Sequence, residues 1–207
     1  MDKKLLSRWE AEIDKILSAS HVFMQSCNKN FGRGFIGELL VLNRLINTFR
    51  NELCKDGNGI KYSGSSKKDF DFELILGSRI IEINAKGTLV LDKKNNKPIW
   101  VRQHAGTFCK IGKRFGATEI SLIKEYREKY FYIYVDVNAW LTKGKADFYV
   151  LSDKEAKMTF GKMYKKDHHK EKPHRISDDM WIKYEDIFER KDNNLVQFKK
   201  TVKGIKL

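Results

Sequence analysis

Four carboxylates and two lysines crowd into two short runs, Lys68-Asp69-Phe70-Asp71-Phe72-Glu73-Leu74 and Ile81-Glu82-Ile83-Asn84-Ala85-Lys86. Polar and apolar residues alternate in both with the period of a strand. Gly77-Ser78 between them suits a two-residue type II′ turn, which favours glycine first. The hairpin register that follows opposes Phe72 to Ile83, Leu74 to Ile81 and Phe70 to Ala85 on one face. On the other face Glu73 meets Glu82, Asp71 meets Asn84, and Asp69 meets Lys86. Opposed Cβ atoms lie about 5 Å apart, so these carboxylates repel one another unless a cation binds or water solvates them. Hard oxygens at this spacing suit Mg2+, which takes one or two carboxylates and completes its shell with water and substrate phosphate. A lysine beside such an ion can orient or deprotonate the attacking water and offset charge on the phosphate. The chemistry that fits this pattern is phosphodiester hydrolysis. A polar outer face is also what an ordinary half-solvated hairpin carries, so the surrounding elements matter.

The hairpin sits in an alternation of helices and strands. Leu5, Leu6, Trp9, Ile13, Ile16 and Leu17 predict a helix over 3–18, and Leu39, Leu42, Ile46, Phe49 and Leu53 a stronger one over 35–53. Glu38 lies beside the apolar stripe of the second helix, where a carboxylate is costly unless something pairs with it. A short strand is expected at 60–62, and the sheet is expected to continue past Gly87 through a turn at Lys94-Asn95-Asn96. Ile120, Ile123, Lys124 and Arg127 suggest a helix over 118–129. Tyr130–Val137 and Ala146–Leu151 read as strands, and Ser152-Asp153-Lys154-Glu155 is a capping box opening a helix to about Tyr164. The fold class is α/β (α+β) with a mixed central sheet flanked by helices. No repeat or linker divides the chain, so a single domain spans 1–207, with the elaboration 156–207 behind its core.

Composition names the partner. The chain has 207 residues, 41 Lys+Arg against 27 Asp+Glu, and a net charge of +14. Hydrophobic residues at 41% exclude a disordered chain, and no apolar run approaches the roughly 20 residues of a membrane span. The N-terminal residues show no signal-peptide core, and three scattered cysteines suggest reduced thiols, so a prokaryotic cytosol is the expected location. A basic body favours polyanions. The charge concentrates in residues 86–129, with 11 Lys/Arg against 4 Asp/Glu, and in 161–175, with 6 against 2. Arg102, Lys110, Lys113 and Arg114 in the first stretch are candidates to contact DNA phosphates. So are Lys165, Lys166, His168, His169 and Arg175 in the second, which is expected to form a loop reaching around the duplex.

Gly37-Glu38-Leu39-Leu40-Val41 on a helix, Lys68-Asp69-Phe70-Asp71-Phe72, and Ile81 to Thr88 together resemble the PD-(D/E)xK nuclease superfamily, over roughly residues 33–155. The resemblance implies a restriction-endonuclease-like αβββαβ core and Mg2+-dependent cleavage of double-stranded DNA, with Mn2+ able to substitute. A type II restriction enzyme is the leading form, expected as a homodimer beside a cognate DNA methyltransferase. A structure-selective resolvase or repair nuclease, or an inactive binding module, are the alternatives. The family motif acid-x-Lys would place its lysine at residue 84, which here is Asn. Either Asp71, Glu82 and Asn84 form the site, or the motif slides by two to Asn84-Ala85-Lys86. Asp71 and Glu82 are assigned to the metal with Asp69 in reserve, Lys86 to water or phosphate, and Glu38 to a supporting position.

Overall fold

In the computed structural model, residues 2–26, 32–63, 69–114, 117–168 and 179–205 are described. Two helices open the chain, α1 (Lys3–Ser26) and α2 (Arg33–Leu53). The strands β1 (Gly59–Tyr62), β2 (Phe72–Leu76) and β3 (Arg79–Thr88) follow. Next come β4 (Ile99–His104), β5 (Cys109–Arg114), β6 (Ala117–Leu122), β7 (Tyr130–Asp136) and helix α3 (Val137–Lys143). The chain continues with β8 (Asp147–Ser152), α4 (Asp153–His168), β9 (Asp179–Lys183), α5 (Tyr184–Ile187) and α6 (Val196–Gly204). The central sheet has the order β1-β2-β3-β7-β8, with β3 and β7 parallel and every other pair antiparallel. This is a mixed α/β protein with a mixed sheet.

Strand β7 is buried from end to end, and its sequence shows how. Phe131, Ile133 and Val135 face a core shared with Ile81, Ile83 and Ala85 of β3 and covered by α1, α2 and α6. Tyr130, Tyr132 and Tyr134 face a second core with Ala156, Phe160 and Tyr164 of α4 and with Phe108 and Ile120. A parallel-paired central strand is covered on both sides, so it lacks a polar face. The same parity sends Glu82, Asn84 and Lys86 of β3 toward the second side.

The β2–β3 register is the expected one, with Phe72↔Ile83, Glu73↔Glu82 and Leu74↔Ile81 in line and Gly77 in the turn at φ +63°. The capping box also forms. Ser152 N–H and Oγ–H donate to Glu155 Oε2 at 2.9 and 2.8 Å, and α4 runs on to His168.

Three expectations are corrected. Phe70 does not face Ala85 beside Phe72; it packs in the second core, because the chain leaves the ladder at Asp71. Residues 118–129 are not a helix. Ala117–Leu122 pair with β5, aligning Ile111 with Ile120, and Ile120 is buried between exposed Glu119 and Ser121, so a two-residue period wins. The parallel return from β3 to β7 therefore runs through β4 and the β5–β6 ribbon, and the helix of an αβββαβ order is missing there among the described residues. Finally, α1 continues to Ser26 because Met24 adds a further buried turn.

Helix α2 crosses the end of β3 at two glycines. A Cβ on Gly37 would lie 2.7 Å from Gly87 Cα, closer than packed carbon atoms allow. Gly37→Ala is expected to destabilise the protein by about 1–3 kcal/mol in urea unfolding, the usual cost of overpacking. Gly34→Ala, three residues earlier in open space, should be neutral or stabilising, and equal effects at both positions would contradict this packing.

Candidate active site

Past Phe72↔Ile83 the β2–β3 ladder ends in a side chain. Asp71 N–H donates to the Ile83 carbonyl at 2.8 Å, and the Asp71 carbonyl accepts from Ser63 N–H at 2.8 Å. Asp71 Oδ2 then accepts the Ala85 N–H at 2.7 Å, standing where the next carbonyl of β2 would be. Asp71 thus brackets Asn84 from both sides. Its carboxyl is raised above the usual range, because burial outweighs the Ala85 N–H and the charge of Lys86.

Glu38 reaches the same end of the sheet from α2, carried there by the close crossing of Gly37 over Gly87. Tyr62 Oη–H at the end of β1 donates to Glu38 Oε2 at 2.7 Å. Burial raises Glu38, helped by the charge of Asp71 and opposed by the Tyr62 hydrogen bond and Lys86. Donating to Glu38 pushes Tyr62 up to about 12. Glu38, Asp71 and Lys86 therefore share one electrostatic environment.

Asn84 is buried, and its Nδ2 donates to the Asp69 carbonyl at 2.7 Å. That bond turns the amide so that Oδ1, also buried, accepts no hydrogen bond. Unpartnered buried oxygens are uncommon in folded proteins and call for a ligand, an ion or water.

The remaining acids stand apart. Asp69 Oδ2 pairs with Arg127 Nη1 at 2.6 Å, and Glu82 Oε2 lies 4.0 Å from the same nitrogen. The Arg127 guanidinium sits 3.5 Å over the Tyr130 ring, and Tyr130 Oη–H donates to the Asp69 carbonyl. Behind it, Arg127 N–H donates to Asp153 Oδ2 at 2.8 Å, and buried Asp153 pairs with Lys157 at 2.6 Å. The expected grouping of Asp69, Asp71, Glu73 and Glu82 is thus divided. Among the described residues no three His, Cys, Asp or Glu side chains gather as a metal cluster. Sequence reasoning missed Tyr62, Arg127 and the Asp153–Lys157 pair. Arg127 gave no distinct signal, since Lys124 and Lys129 flank it in the stretch expected to be a helix.

A magnesium ion fits the residues present. It needs only one or two carboxylates and hard oxygens, and Asp71 with the orphaned Asn84 Oδ1 offers that set. Asp71 accepts the Ala85 N–H and feels the charge of Lys86, while Glu82 Oε2 lies 4.0 Å from Arg127 Nη1.

Among the basic candidates, Lys110 of β5 and Lys165 and Lys166 of α4 belong to elements packed on the second side of the sheet. Lys110 of β5 is exposed and lies 3.8 Å from Glu125. Lys165 and Lys166 are exposed in the last turn of α4, a helix rather than the expected loop, because the capping box and the buried Phe160 and Tyr164 extend it. The His168 ring packs 4.4 Å from Tyr164. The side chains of Arg102, Lys113 and Arg114, and His169 and Arg175 entirely, lie outside the described residues. No described helix is long and apolar enough to cross a membrane. Compared with known proteins, the chain matches no family model, no curated protein and no solved structure.

The raised carboxyl of Asp71 carries a stability signature. A folded-state value above the unfolded one favours the folded state fully below the ordinary carboxylate range, and that benefit is lost as pH rises through the raised value. Asp71→Asn, which keeps an oxygen for the Ala85 N–H, should therefore melt higher than the native protein at neutral pH in the absence of divalent ions. The gain should shrink toward about pH 4. A variant less stable at neutral pH would show that the charge at Asp71 is structural.

Proposed function

We propose that the protein is a divalent-metal-dependent endonuclease that hydrolyses DNA phosphodiester bonds, of the PD-(D/E)xK kind and in the manner of a type II restriction enzyme. The observation that carries this reading is the buried, unpartnered Asn84 Oδ1, bracketed by Asp71 and followed on the same side of β3 by Lys86. Asp71 and Asn84 would hold Mg2+, or Mn2+ in its place. Bound there, the ion would polarise the scissile phosphate and make a coordinated water more acidic.

The chain's own groups do the rest. Lys86 lies close enough to Asp71 and Glu38 to lower both, and its ammonium would orient the attacking water and offset the phosphate's growing charge. Glu38, with its raised proton affinity, can accept a hydrogen bond from that water while Tyr62 holds its other side. Arg127 offsets part of the charge of Asp69 and Glu82, which lessens the repulsion of an incoming phosphate. The net charge of +14, with Lys110, Lys165 and Lys166 on the side toward which Asn84 and Lys86 point, supplies the long-range attraction for a duplex backbone.

Supercoiled plasmid incubated with Mg2+ should be cut to discrete bands, and chelator should stop the reaction. Lys86→Ala and Asp71→Ala should each slow cleavage by at least about 100-fold, the scale of a lost catalytic group. Both should keep DNA affinity measured without metal. Full activity in either variant would refute the assignment. Salt-sensitive binding without any cleavage by the native chain would leave a DNA-binding module instead.

A further inference from the structure

On the first side of the sheet, away from Asn84 and Lys86, residues of α1, α2, the end of α3 and the start of β8 line a cleft of about 740 Å3. Its apolar lining, Trp140 and Phe148 among it, belongs to the first core. The rest of its wall is polar. Asp14 and His21 come from α1, Asn43 and Arg44 from α2, and Lys145 from the turn before β8. A volume of this size is that of a small-molecule site rather than of a single ion. The cleft shares no residue with the cation site proposed at Asp71 and Asn84.

The charged groups of this cleft are not spent on one another. Asp14 and Arg44 both line it, yet Asp14 Oδ1 accepts from the neutral amide of Asn43 at 2.9 Å. The Arg44 guanidinium instead lies 5.3 Å over the Phe148 ring. Asn43 Oδ1 accepts from Asn47 Nδ2 at 2.9 Å, so an amide ladder runs along α2 to Asp14 and leaves the second Asp14 oxygen to offer. Among the described residues neither Arg44 nor Lys145 pairs with a carboxylate. His21 Nε2 is buried and makes no hydrogen bond, its ring edge-on to Trp140 at 4.8 Å. Polar groups drawn into a wall in this way are as a rule partnered.

Each of these groups suits a different part of one ligand. Two unpaired cations suit a phosphate, to which arginine offers a fork of hydrogen bonds and lysine a point charge. The free Asp14 oxygen can only accept, so it suits a ring N–H or amino group and would repel a bare anion. The apolar lining suits the face of a ring. Asp14 and His21 are seven residues apart on α1, roughly 10 Å along the helix, which gives room for two joined parts. We propose that the cleft binds a small aromatic phosphate with N–H groups on its ring, the chemistry of a nucleoside monophosphate. Arg44 and Lys145 hold the phosphate and Asp14 the base. The site does not depend on the nuclease reading.

Isothermal titration calorimetry without DNA or metal tests it, with the 5′-monophosphates of adenosine, guanosine, cytidine and uridine as probes. At least one should bind with a Kd below about 1 mM. The matching nucleoside and inorganic phosphate should each bind at least about 10-fold more weakly, since each has lost one set of contacts. Arg44→Met, which keeps a side chain over Phe148, and Lys145→Glu, at an exposed position, should each weaken binding by at least about 10-fold with an unchanged circular dichroism spectrum. Asp71→Ala should bind the nucleotide as the native protein does, which separates this cleft from the proposed active site. No heat with any of the four, phosphate binding as tightly as the nucleotide, or native affinity in both Arg44→Met and Lys145→Glu would overturn the proposal. Loss of binding in Asp71→Ala alone would do the same. None of these results bears on cleavage, which the plasmid assay reads separately.

Discussion

Where α2 crosses the end of β3, neither chain carries a side chain. Gly37 over Gly87 brings a helix closer to the sheet than any other residue pair could, since one added carbon would sit 2.7 Å from the opposing Cα. Everything at this end of the molecule follows from that crossing. It delivers Glu38 to Tyr62 and to the charges of Asp71 and Lys86, and it fixes α2 against the sheet so that Leu40, Val41 and Leu45 enter the first core. Close backbone approach of this kind is a structural use for glycine that no other residue can fill.

The electrostatics around the crossing divide into a relaxed half and an unrelaxed one. Asp69 and Glu82 share Arg127, and the loop that carries Arg127 is tied down by the buried Asp153–Lys157 pair. Breaking such a pair leaves an uncompensated buried charge, so the loop is held at some expense. Asp71, Glu38 and Asn84 are arranged otherwise. Two carboxyls there are raised by burial, and an amide oxygen has no partner. Asp69 and Glu82 lie beside a cation, whereas Asp71 and Glu38 hold neutral hydrogen-bond donors and Asn84 Oδ1 holds none, a pattern that suits groups kept for a ligand.

Much of this was legible from residue types alone. The β2–β3 register followed from alternation and one Gly-Ser turn, since a slip by one residue would turn every apolar side chain outward. The capping box at Ser152 and the strand at 130–136 were equally local. Where the reading failed, a distant contact had overridden a local pattern. Phe70 belongs to the alternation of its strand, yet the chain leaves the ladder at Asp71 and Phe70 packs in the opposite core. Ile120 and Ile123 are spaced as on a helix, yet pairing with β5 takes the first of them into a strand. Asp69 looked like a ligand because its partner, Arg127, is 58 residues away in sequence.

The central claim is that Asp71 and Asn84 Oδ1 form a cation site, and a crystal of the protein grown or soaked in Mn2+ addresses it without reference to activity. The account predicts one anomalous peak about 2 Å from an Asp71 oxygen and from Asn84 Oδ1, the distance expected for hard oxygen ligands, with Arg127 still on Asp69. A peak between Asp69 and Glu82 with Arg127 displaced, or no peak at all at this end of the sheet, would contradict it.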